Sequence, residues 1–490
     1  MIESSISFFI DILVLFGNNK VTNIFASNFF KKRLKVRFFG RQKELQRIKD
    51  FLNRPQTGAM LILGKRRVGK TTLIKKALED SDITSVIYTC IPSDLNTNLL
   101  LLSKAVSTSL NFPEIGFSNI QSLFDFLNTL GKKIVIVLDE YQDMKKREDS
   151  LLIDALFRNC VDSLSENVRL ILSGSSIRMM SKLNDSDNPL FGRFSDIMML
   201  NELTAFEAAE FYPDATVRDK IFYYGIFGGM PNILQRIDEK LGVTKNIERL
   251  FLDTGAIAYS YAKSVVDVEV SPINDAFTIL NSIGNGKKRY TELLSSINSE
   301  KGRSQLSRTL NTLVDSGILS KKKPINKDSR TSTFYEITSP CLRFYFAYLI
   351  NFEGYQGISS NTYYDEYISP SINTFVSYRF EDIVAQYFSK LSLSGKRSDI
   401  LAIGSYWFDD KIKKLNGEYD CALKTPKGYE IYECKLLKNK APKSLIEEEK
   451  RKAMNAEGIN IARFGVVSSS GFEEEVEGVI MIDGEELYNS

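Results

Sequence analysis

Strand-like apolar runs alternate with helix-like patterning through the first two fifths of the chain. The apolar runs lie within residues 59–63, 86–89, 134–138 and 168–176, and the helix-like segments between them are residues 72–78, 99–110 and 120–130. The run IVIVL at residues 134–138 is typical of a strand that is buried on both faces of a parallel sheet. The alternation therefore predicts a three-layer α/β core over residues 37–202, with a ligand site at the carboxyl ends of its strands.

Shorter amphipathic segments replace this alternation after residue 202. The segments with helical patterning are residues 205–212, 232–237, 273–283, 290–297 and 304–316. The first two predict a helical lid over residues 203–265. The other three, together with a lysine-rich turn between two strand-like pieces, predict a winged helix over residues 266–348. A solvated wing in a domain that only contacts protein is the alternative.

The two ends of the chain follow different patterns. Residues 375–391 predict a long helix, which is followed by a hairpin, and they belong to a last domain over residues 349–490. Residues 1–36 are an N-terminal extension whose apolar stretch is too short to span a bilayer. A poorly packed extension and a surface-bound amphipathic helix are its two alternatives.

The loop after the first apolar run has the pattern G-x-x-x-x-G-K-T. Glycines let the backbone bend around phosphate, so that several N–H groups point inward at a helix N-terminus. We expect Lys70 to reach the β and γ phosphates and the Thr71 hydroxyl to bind Mg²⁺. A surface turn rich in lysine and arginine is the alternative. The residues expected to contact the nucleotide are Gly64, Lys65, Arg66, Arg67, Val68, Gly69, Lys70, Thr71 and Thr72.

Two acids follow the run at residues 134–138. Carboxylates at the end of a buried strand are costly unless they meet cations. We therefore expect Asp139 to hold Mg²⁺ through water and Glu140 to orient the attacking water. Ser173 or Ser175 is expected to hydrogen-bond the γ phosphate or that water, and Arg193 to reach the γ phosphate in cis or across a subunit interface. Solvated charge, a serine turn and a surface arginine are the alternatives.

Composition narrows the chemistry that the chain can perform. Its 490 residues include no histidine, which excludes Ser-His-Asp hydrolysis, HNH-type nucleases and His-ligated zinc or haem. The five cysteines form no C-x-x-C pair, which excludes a zinc ribbon and fits a reducing intracellular compartment. A net charge of +3 means that any nucleic-acid binding must come from local basic patches.

Six motifs occur in a fixed order over residues 37–240, namely FFGRQKEL, LGKRRVGKT, IVIVLDEYQ, ILSGSS, FGRF and GGMPNIL. The set resembles the archaeal ATPase family within the AAA+/STAND class of P-loop proteins. That resemblance implies an AAA-type core, a helical lid and ATP rather than another nucleotide. It also implies that Pro231, in the GGMP turn, lies near the base and sugar. From the residues alone, this turn is a Gly-Pro helix break in the lid.

The last domain has an acidic residue on one predicted strand and E-x-K on the next. By the two-residue period of a strand, Glu433 and Lys435 share one face. Together with Asp420, this layout resembles PD-(D/E)XK nucleases. The resemblance implies that Asp420 and Glu433 hold Mg²⁺, that Lys435 activates water or stabilises the transition state, and that Glu381 adds a further contact. A degenerate fold that binds without cutting is the alternative.

These patterns together predict a cytoplasmic, Mg²⁺-dependent ATPase that acts as a nucleotide switch on a nuclease-like domain. Its cofactors are expected to be ATP and Mg²⁺. ATP-gated cleavage of DNA or RNA and a non-catalytic signalling or binding module are the alternatives. DNA or RNA is the candidate partner, through the winged helix and the C-terminal domain. No transmembrane segment is expected, and a homo-oligomer stays open.

Overall fold

The computed structural model describes residues 38–79, 81–327, 333–355, 357–410, 415–454 and 460–489. Residues 41–490 make up one structural unit, which contains all of the elements named below. The prediction for residues 1–36 lies outside the described residues. No helix in the described ranges is both long and apolar enough to cross a membrane.

Five parallel strands form the sheet of the first half of the chain. They are β1 (Gly58–Leu63), β2 (Thr84–Thr89), β3 (Ile134–Asp139), β4 (Val168–Gly174) and β5 (Phe194–Met199). Their order in the sheet is β2-β3-β4-β1-β5. Every residue of β3 and β4 is buried, as the apolar runs predict. Because β4 lies between β1 and β3, the loops that follow these three strands meet at one edge of the sheet.

Helices connect these strands and confirm the predicted α/β core. They are α1 (Gln42–Asn53), α2 (Lys70–Glu79), α3 (Leu95–Leu110), α4 (Ile120–Thr129), α5 (Tyr141–Met144), α6 (Ser150–Asp162) and α7 (Ile177–Ser181). Helix α3 begins four residues before the predicted start at residue 99. The Asp94 side chain accepts a hydrogen bond from the Thr97 N–H at 2.8 Å, and this N-cap adds a polar first turn.

The middle of the chain is mostly helical, with one small sheet. The helices are α8 (Ala205–Ala209), α9 (Val217–Phe227), α10 (Pro231–Leu234), α11 (Gly242–Ile247), α12 (Ile257–Val265), α13 (Ala276–Gly284), α14 (Tyr290–Ser296) and α15 (Glu300–Asp315). Strands β6 (Lys288–Arg289), β7 (Leu319–Lys322) and β8 (Phe334–Ile337) pair in the antiparallel order β6-β8-β7. Leu306, Leu310 and Leu313 are buried on one face of α15, as their spacing predicts. The winged-helix assignment and the domain boundaries stay predictions.

A mixed five-stranded sheet forms the last part of the chain. Its strands are β9 (Ala402–Asp410), β10 (Leu415–Thr425), β11 (Gly428–Lys435), β12 (Ile461–Ser468) and β13 (Ile480–Asp483), in the order β13-β12-β11-β10-β9. The predicted hairpin is β10–β11, with Cys421 opposite Tyr432. The helices are α16 (Pro340–Phe344), α17 (Ser360–Tyr363), α18 (Ile372–Leu393), α19 (Lys443–Met454) and α20 (Gly484–Asn489).

Helix α18 joins this sheet to the preceding helices. Near its end, Phe388 packs on Tyr432 of β11, with ring centroids 4.5 Å apart. Near its start it lies so close to α9 that a Cβ on Gly225 would be 3.1 Å from Val376. Residues such as Gly225 allow helices to approach closely. One rigid helix therefore contacts both the predicted lid and the last domain.

Buried charges connect the same helix to the small sheet. Glu336 of β8 accepts hydrogen bonds from Arg343, at 3.0 Å, and from Arg379 of α18. Arg379 also donates to Asp382 at 2.8 Å, and Lys322 of β7 donates to Asp382 at 2.9 Å. Buried charges require such partners, and removing one of them leaves the other uncompensated. The small sheet and α18 are therefore held in a defined relative position.

Candidate nucleotide site and a second acidic centre

The loop between β1 and α2 follows a tight path that its glycines allow. A Cβ on Gly64 would lie 2.4 Å from the carbonyl oxygen of Leu200, so a larger residue does not fit without backbone movement. Gly69 has a φ of +100°, a conformation that L side chains rarely adopt. Helix α2 begins at the next residue, Lys70. The loop thus presents backbone N–H groups at a helix N-terminus, which is the arrangement that binds phosphate.

The side chain of Lys70 lies inside this loop. Its Nζ donates hydrogen bonds to the carbonyl oxygens of Gly64, at 2.9 Å, and of Lys65, at 3.2 Å. Burial lowers the pKa of the Lys70 ammonium, and the charges of Glu140 and Asp139 oppose that change. An amine held by two carbonyl oxygens and faced by two acids is positioned to meet the oxygens of an anionic ligand.

Asp139, at the end of β3, is held by hydroxyl groups from two neighbouring elements. Its Oδ2 accepts a hydrogen bond from the Thr71 hydroxyl at 2.6 Å, and its Oδ1 accepts one from the Ser173 hydroxyl of β4. The structure therefore brings together the two residues that were predicted to bind Mg²⁺. The contact of Ser173 with Asp139 was not predicted, and a contact of either serine with the γ phosphate or the attacking water stays a prediction.

Glu140 follows in the left-handed conformation, with a φ of +53°. Its Oε2 accepts hydrogen bonds from the Ser175 backbone at 3.1 Å, from the Ser175 hydroxyl at 2.5 Å and from the Gln142 amide. Burial raises the pKa of Glu140, but these hydrogen bonds and the charge of Lys70 outweigh it, so the pKa lies below its ordinary value. Glu140 is thus an oriented, ionised carboxylate. Ser175 contacts it directly, and so does Gln142, which lies in the motif IVIVLDEYQ but was assigned no role.

The structure treats Pro231 and Arg193 differently. A Cβ on Gly69 would lie 3.9 Å from Pro231 Cγ, so the GGMP turn lies beside the phosphate loop. Arg193 instead immediately precedes β5, whose first residue pairs with Ala59 at the start of β1. Its Nε is 3.0 Å from Asp162 Oδ1. Arg193 is therefore at the opposite edge of the sheet and does not join the loop within one chain. A role across a subunit interface stays a prediction.

Two further residues support the loop, and neither was predicted from the sequence. The Arg41 guanidinium donates to the carbonyl oxygens of Val68, at 3.5 Å, and of Asn201. Glu202 accepts a hydrogen bond from the Gly229 N–H at 3.2 Å, and its other oxygen is 3.5 Å from Lys65 Nζ. Glu202 thereby connects the phosphate loop to the GGMP turn. Arg41 lies in the motif FFGRQKEL, which was used only for the family resemblance.

The β10–β11 hairpin carries a second acidic centre. Asp420 accepts a hydrogen bond from the Cys434 N–H at 2.9 Å. Lys435 Nζ lies 3.2 Å from Glu433 and 3.1 Å from Glu449 of α19. The sequence thus identified Glu433 and Lys435 as neighbours but missed Glu449, which is contributed by a separate helix.

Carboxylates in this centre disfavour each other's charge. Burial, and then the charge of Asp420, raises the pKa of Glu433 to about 7, against the effect of Lys435. The same two causes raise the pKa of Glu381, on α18, well above its ordinary value. Burial also raises the pKa of Asp420, which the Cys434 N–H and Lys435 partly offset. Within the described ranges, no group of three or more Cys, Asp or Glu side chains is arranged to hold a metal ion.

Two parts of the chain match the models of known protein families. Residues 38–237 match the model of an ATPase domain found predominantly in Archaea, and residues 345–453 match a family of archaeal and bacterial proteins of unknown function. An uncharacterized protein of Methanocaldococcus jannaschii is 24% identical over 375 residues, which cover 76% of this chain and 82% of that protein. The second family match leaves the PD-(D/E)XK resemblance a prediction.

Two similar solved structures come from archaea. A Walker-type ATPase of Pyrococcus abyssi is 19% identical and matches 63% of this chain and 96% of its own, with a TM-score of 0.47. The ORC2 protein of Aeropyrum pernix, solved with ADPNP and ADP, is 14% identical and matches 64% of this chain and 93% of its own, with a TM-score of 0.42. Residues 38–237 of this chain are thus similar to an ATPase domain found predominantly in Archaea.

Proposed function

We propose that this chain hydrolyses ATP in the presence of Mg²⁺ and acts as a nucleotide switch. The observation that carries the proposal is the convergence of Lys70, Thr71, Asp139 and Glu140 at the carboxyl edge of the parallel sheet. Lys70 and Thr71 lie in the loop after β1, and Thr71 donates to Asp139 at 2.6 Å. Glu140 follows directly and is held by Ser175. No histidine is required for this chemistry.

The side chains of the site fit a triphosphate with Mg²⁺. The hydroxyl of Thr71 and the carboxylate of Asp139 are oxygen ligands of the kind that Mg²⁺ prefers, and Mg²⁺ would neutralise phosphate charge there. Lys70 would pair with the β and γ phosphates. Glu140, ionised and fixed by Ser175 and Gln142, would accept a hydrogen bond from the attacking water and orient it.

Two connections support a switch rather than an isolated ATPase. Pro231 lies beside Gly69, and Glu202 contacts both Lys65 and the Gly229 N–H. A ligand in the loop would therefore change the contacts of the GGMP turn. Helix α9 precedes that turn and packs on α18, which carries Glu381. Movement of the lid would therefore be transmitted to the last domain through one helix.

The test measures ATP binding and turnover in the full chain. We expect Lys70→Ala to weaken ATP binding and abolish turnover. Glu140→Gln should retain ATP but lose turnover by roughly 100-fold or more, because a neutral amide orients water poorly. Lys75→Ala, an exposed lysine of the same helix, is the matched control and should behave as the wild type. Equal turnover in all four proteins would exclude the proposal.

A second candidate function, nucleic-acid cleavage, is supported by the arrangement of Lys435 between Glu433 and Glu449, close to Asp420. The test is incubation of the full chain with DNA and RNA, with Mg²⁺, in the presence and absence of ATP. Cleavage should disappear in Lys435→Ala and persist in Lys438→Ala, a lysine three residues further on. Cleavage that survives Lys435→Ala would come from a contaminant.

A further inference from the structure

The turn after β7 is attached to the edge strand β9. The Asn326 amide donates to the Trp407 carbonyl oxygen at 2.7 Å, and its oxygen accepts a hydrogen bond from the Trp407 N–H at 3.1 Å. The Ile325 N–H donates to the Ser405 carbonyl oxygen at 2.8 Å. These bonds extend the edge of the mixed sheet, as an added strand would. The small sheet and the last domain therefore share one continuous surface.

Three cations and two aromatic rings meet on this surface, which we call the seam (Lys287, Arg289, Lys327, Phe334 and Trp407). Lys327 Nζ lies 3.7 Å from the centroid of the Trp407 ring. The Arg289 guanidinium lies 5.0 Å from the Trp407 ring and 4.9 Å from the Phe334 ring. Lys287 Nζ lies 5.1 Å from the Phe334 ring. Aromatic faces hold cations at such distances without neutralising their charge.

The charge of the seam is only partly neutralised by acids. Lys287 forms an ion pair with Glu418 at 2.7 Å. Among the described residues, no carboxylate oxygen lies within 4.0 Å of the Arg289 guanidinium or of Lys327 Nζ, although the Arg289 backbone N–H donates to Glu292 at 2.7 Å. Both side chains are half-buried, so their positions are restricted while their charge stays available. Two positioned cations are thus available to bind an anion.

The seam borders the second acidic centre. Glu418, the partner of Lys287, is two residues from Asp420 on β10. The charge of Lys287 also favours the ionised forms of Asp420 and Glu381. A polyanion on the seam would consequently run next to the carboxylates that were predicted to hold Mg²⁺.

We propose that the seam binds the sugar–phosphate backbone of a nucleic acid. An arginine presents a planar fork that matches phosphate oxygens, and phosphates attract positioned lysines in a salt-dependent way. Aromatic rings beside the cations offer a surface on which bases can stack, which an acidic peptide would not use. This binding surface goes beyond ATP hydrolysis and does not depend on it, and it requires no cleavage.

The experiment uses the single tryptophan of the chain as its reporter. The full chain, without Mg²⁺, is titrated with a single-stranded oligonucleotide, with its duplex and with polyglutamate. We expect Trp407 emission to change with at least one form of nucleic acid, which identifies the form bound. In an Arg289→Ala/Lys327→Ala double variant, binding of a labelled oligonucleotide should weaken about tenfold. Its logarithmic salt dependence should become shallower by roughly 1 to 2, as expected for two lost phosphate contacts.

The matched control is Lys427→Ala. Lys427 is an exposed lysine in the turn of the β10–β11 hairpin, at the end of the sheet remote from Trp407. It should bind as the wild type does. Circular dichroism and thermal unfolding, equal in all three proteins, show that the double variant is folded.

Unchanged affinity and salt dependence in the double variant would overturn the proposal, since the seam would then be only a contact between domains. Equally tight binding of polyglutamate would overturn it too. Loss of the ATPase proposal would be visible separately, as absent turnover in the wild type.

Discussion

The nucleotide site and the second acidic centre each hold a pair of carboxylates, and the surroundings of the two pairs differ. Asp139 and Glu140 accept hydrogen bonds from Thr71, Ser173, Ser175 and Gln142. These donors keep the pKa of Glu140 below its ordinary value despite its burial. In the second centre, burial, and then the charge of Asp420, raises the pKa of Glu433 to about 7.

The difference lies in the supply of hydrogen-bond donors. The nucleotide site surrounds each carboxylate with hydroxyl and N–H groups, and these groups favour the ionised form of Glu140 before any cation arrives. The second centre has fewer donors, namely the Cys434 N–H, which donates to Asp420, and Lys435, which Glu433 shares with Glu449. We therefore expect the nucleotide site to be insensitive to pH near neutrality, and the second centre to respond to both pH and divalent cations.

The largest expected effect is that of Asp139→Asn on ATP turnover. An amide of the same shape retains hydrogen-bonding capacity but removes the charge that Mg²⁺ would require. We expect turnover to fall by roughly 100-fold or more, with the fold retained. Steady-state ATPase assays at several Mg²⁺ concentrations measure the effect. Asp143→Asn, a partly exposed acid of α5 that pairs with Lys146, is the control and should leave turnover unchanged.

Turnover retained in Asp139→Asn would contradict the assignment of this carboxylate. It would also weaken the comparison, because the hydrogen bonds around Asp139 would then be structural only. Circular dichroism of both variants shows whether a loss of turnover comes from the removed charge or from misfolding.

Sequence reasoning succeeded where one short stretch encodes the geometry. The loop from Gly64 to Thr71 and the pair Asp139-Glu140 each follow directly from a buried strand, so motif and position coincide. Arg41 was missed because its contacts are distant in sequence. Its hydrogen-bond acceptors, the carbonyl oxygens of Val68 and Asn201, are 27 and 160 residues away along the chain. Arg193 was placed near the γ phosphate by its motif, but only the register of β5 against β1 shows that it lies at the edge of the sheet opposite the phosphate loop of its own chain.

The mixed sheet was predictable only in part. The β10–β11 hairpin is local and has a clear turn, so its pattern was visible. Strand β12 pairs in parallel with both β11 and β13, and such pairs lack a local turn signal. For the same reason Glu449 could not be assigned to the second centre, because its contact with Lys435 depends on how α19 packs on the sheet.

An intermediate effect is expected from pH and Mg²⁺ on stability, through Glu433. Its pKa of about 7 in the folded chain exceeds the ordinary 4.5, so the folded state retains a proton that the unfolded state has already released. The free energy of unfolding should therefore fall as pH rises from about 4.5 to about 7, and level off beyond. Glu433→Gln should lack this fall and be more stable than the wild type at pH 8. Thermal unfolding between pH 5 and 8.5 measures it.

Mg²⁺ sharpens the same prediction. At pH 8, Mg²⁺ should raise the melting temperature of the wild type more than that of Glu433→Gln. The substitution removes a carboxylate that would bind the ion, and a bound ion stabilises the folded state. Glu448→Gln, on the exposed face of α19, is the matched control and should follow the wild type. An identical pH dependence in Glu433→Gln and the wild type would show that the two acidic pairs do not differ in their ionisation.

The smallest expected effect concerns Glu202 and Lys65, which connect the phosphate loop to the GGMP turn. The side chains of Lys65 and Glu202 are 19% and 13% exposed, and Lys65 Nζ lies 3.5 Å from Glu202 Oε1. A partly exposed pair of this kind contributes on the order of 0.5 kcal/mol. We expect Lys65→Ala and Glu202→Gln each to weaken ATP binding by less than about tenfold. In the double variant the two effects should fall short of their sum.

Glu202→Gln retains an oxygen for the Gly229 N–H, so this substitution tests the charge rather than the contact with the turn. Glu79→Gln, an exposed acid that pairs with Lys76 on α2, is the control. Strictly additive effects would mean that Lys65 acts on the nucleotide alone and that the turn is positioned by Pro231 and Arg41. A shortfall would instead show that the ion pair between Lys65 and Glu202 couples the nucleotide site to the lid. In the second centre, by contrast, the ion pairs of Lys435 with Glu433 and Glu449 only offset part of the charge of the buried acids.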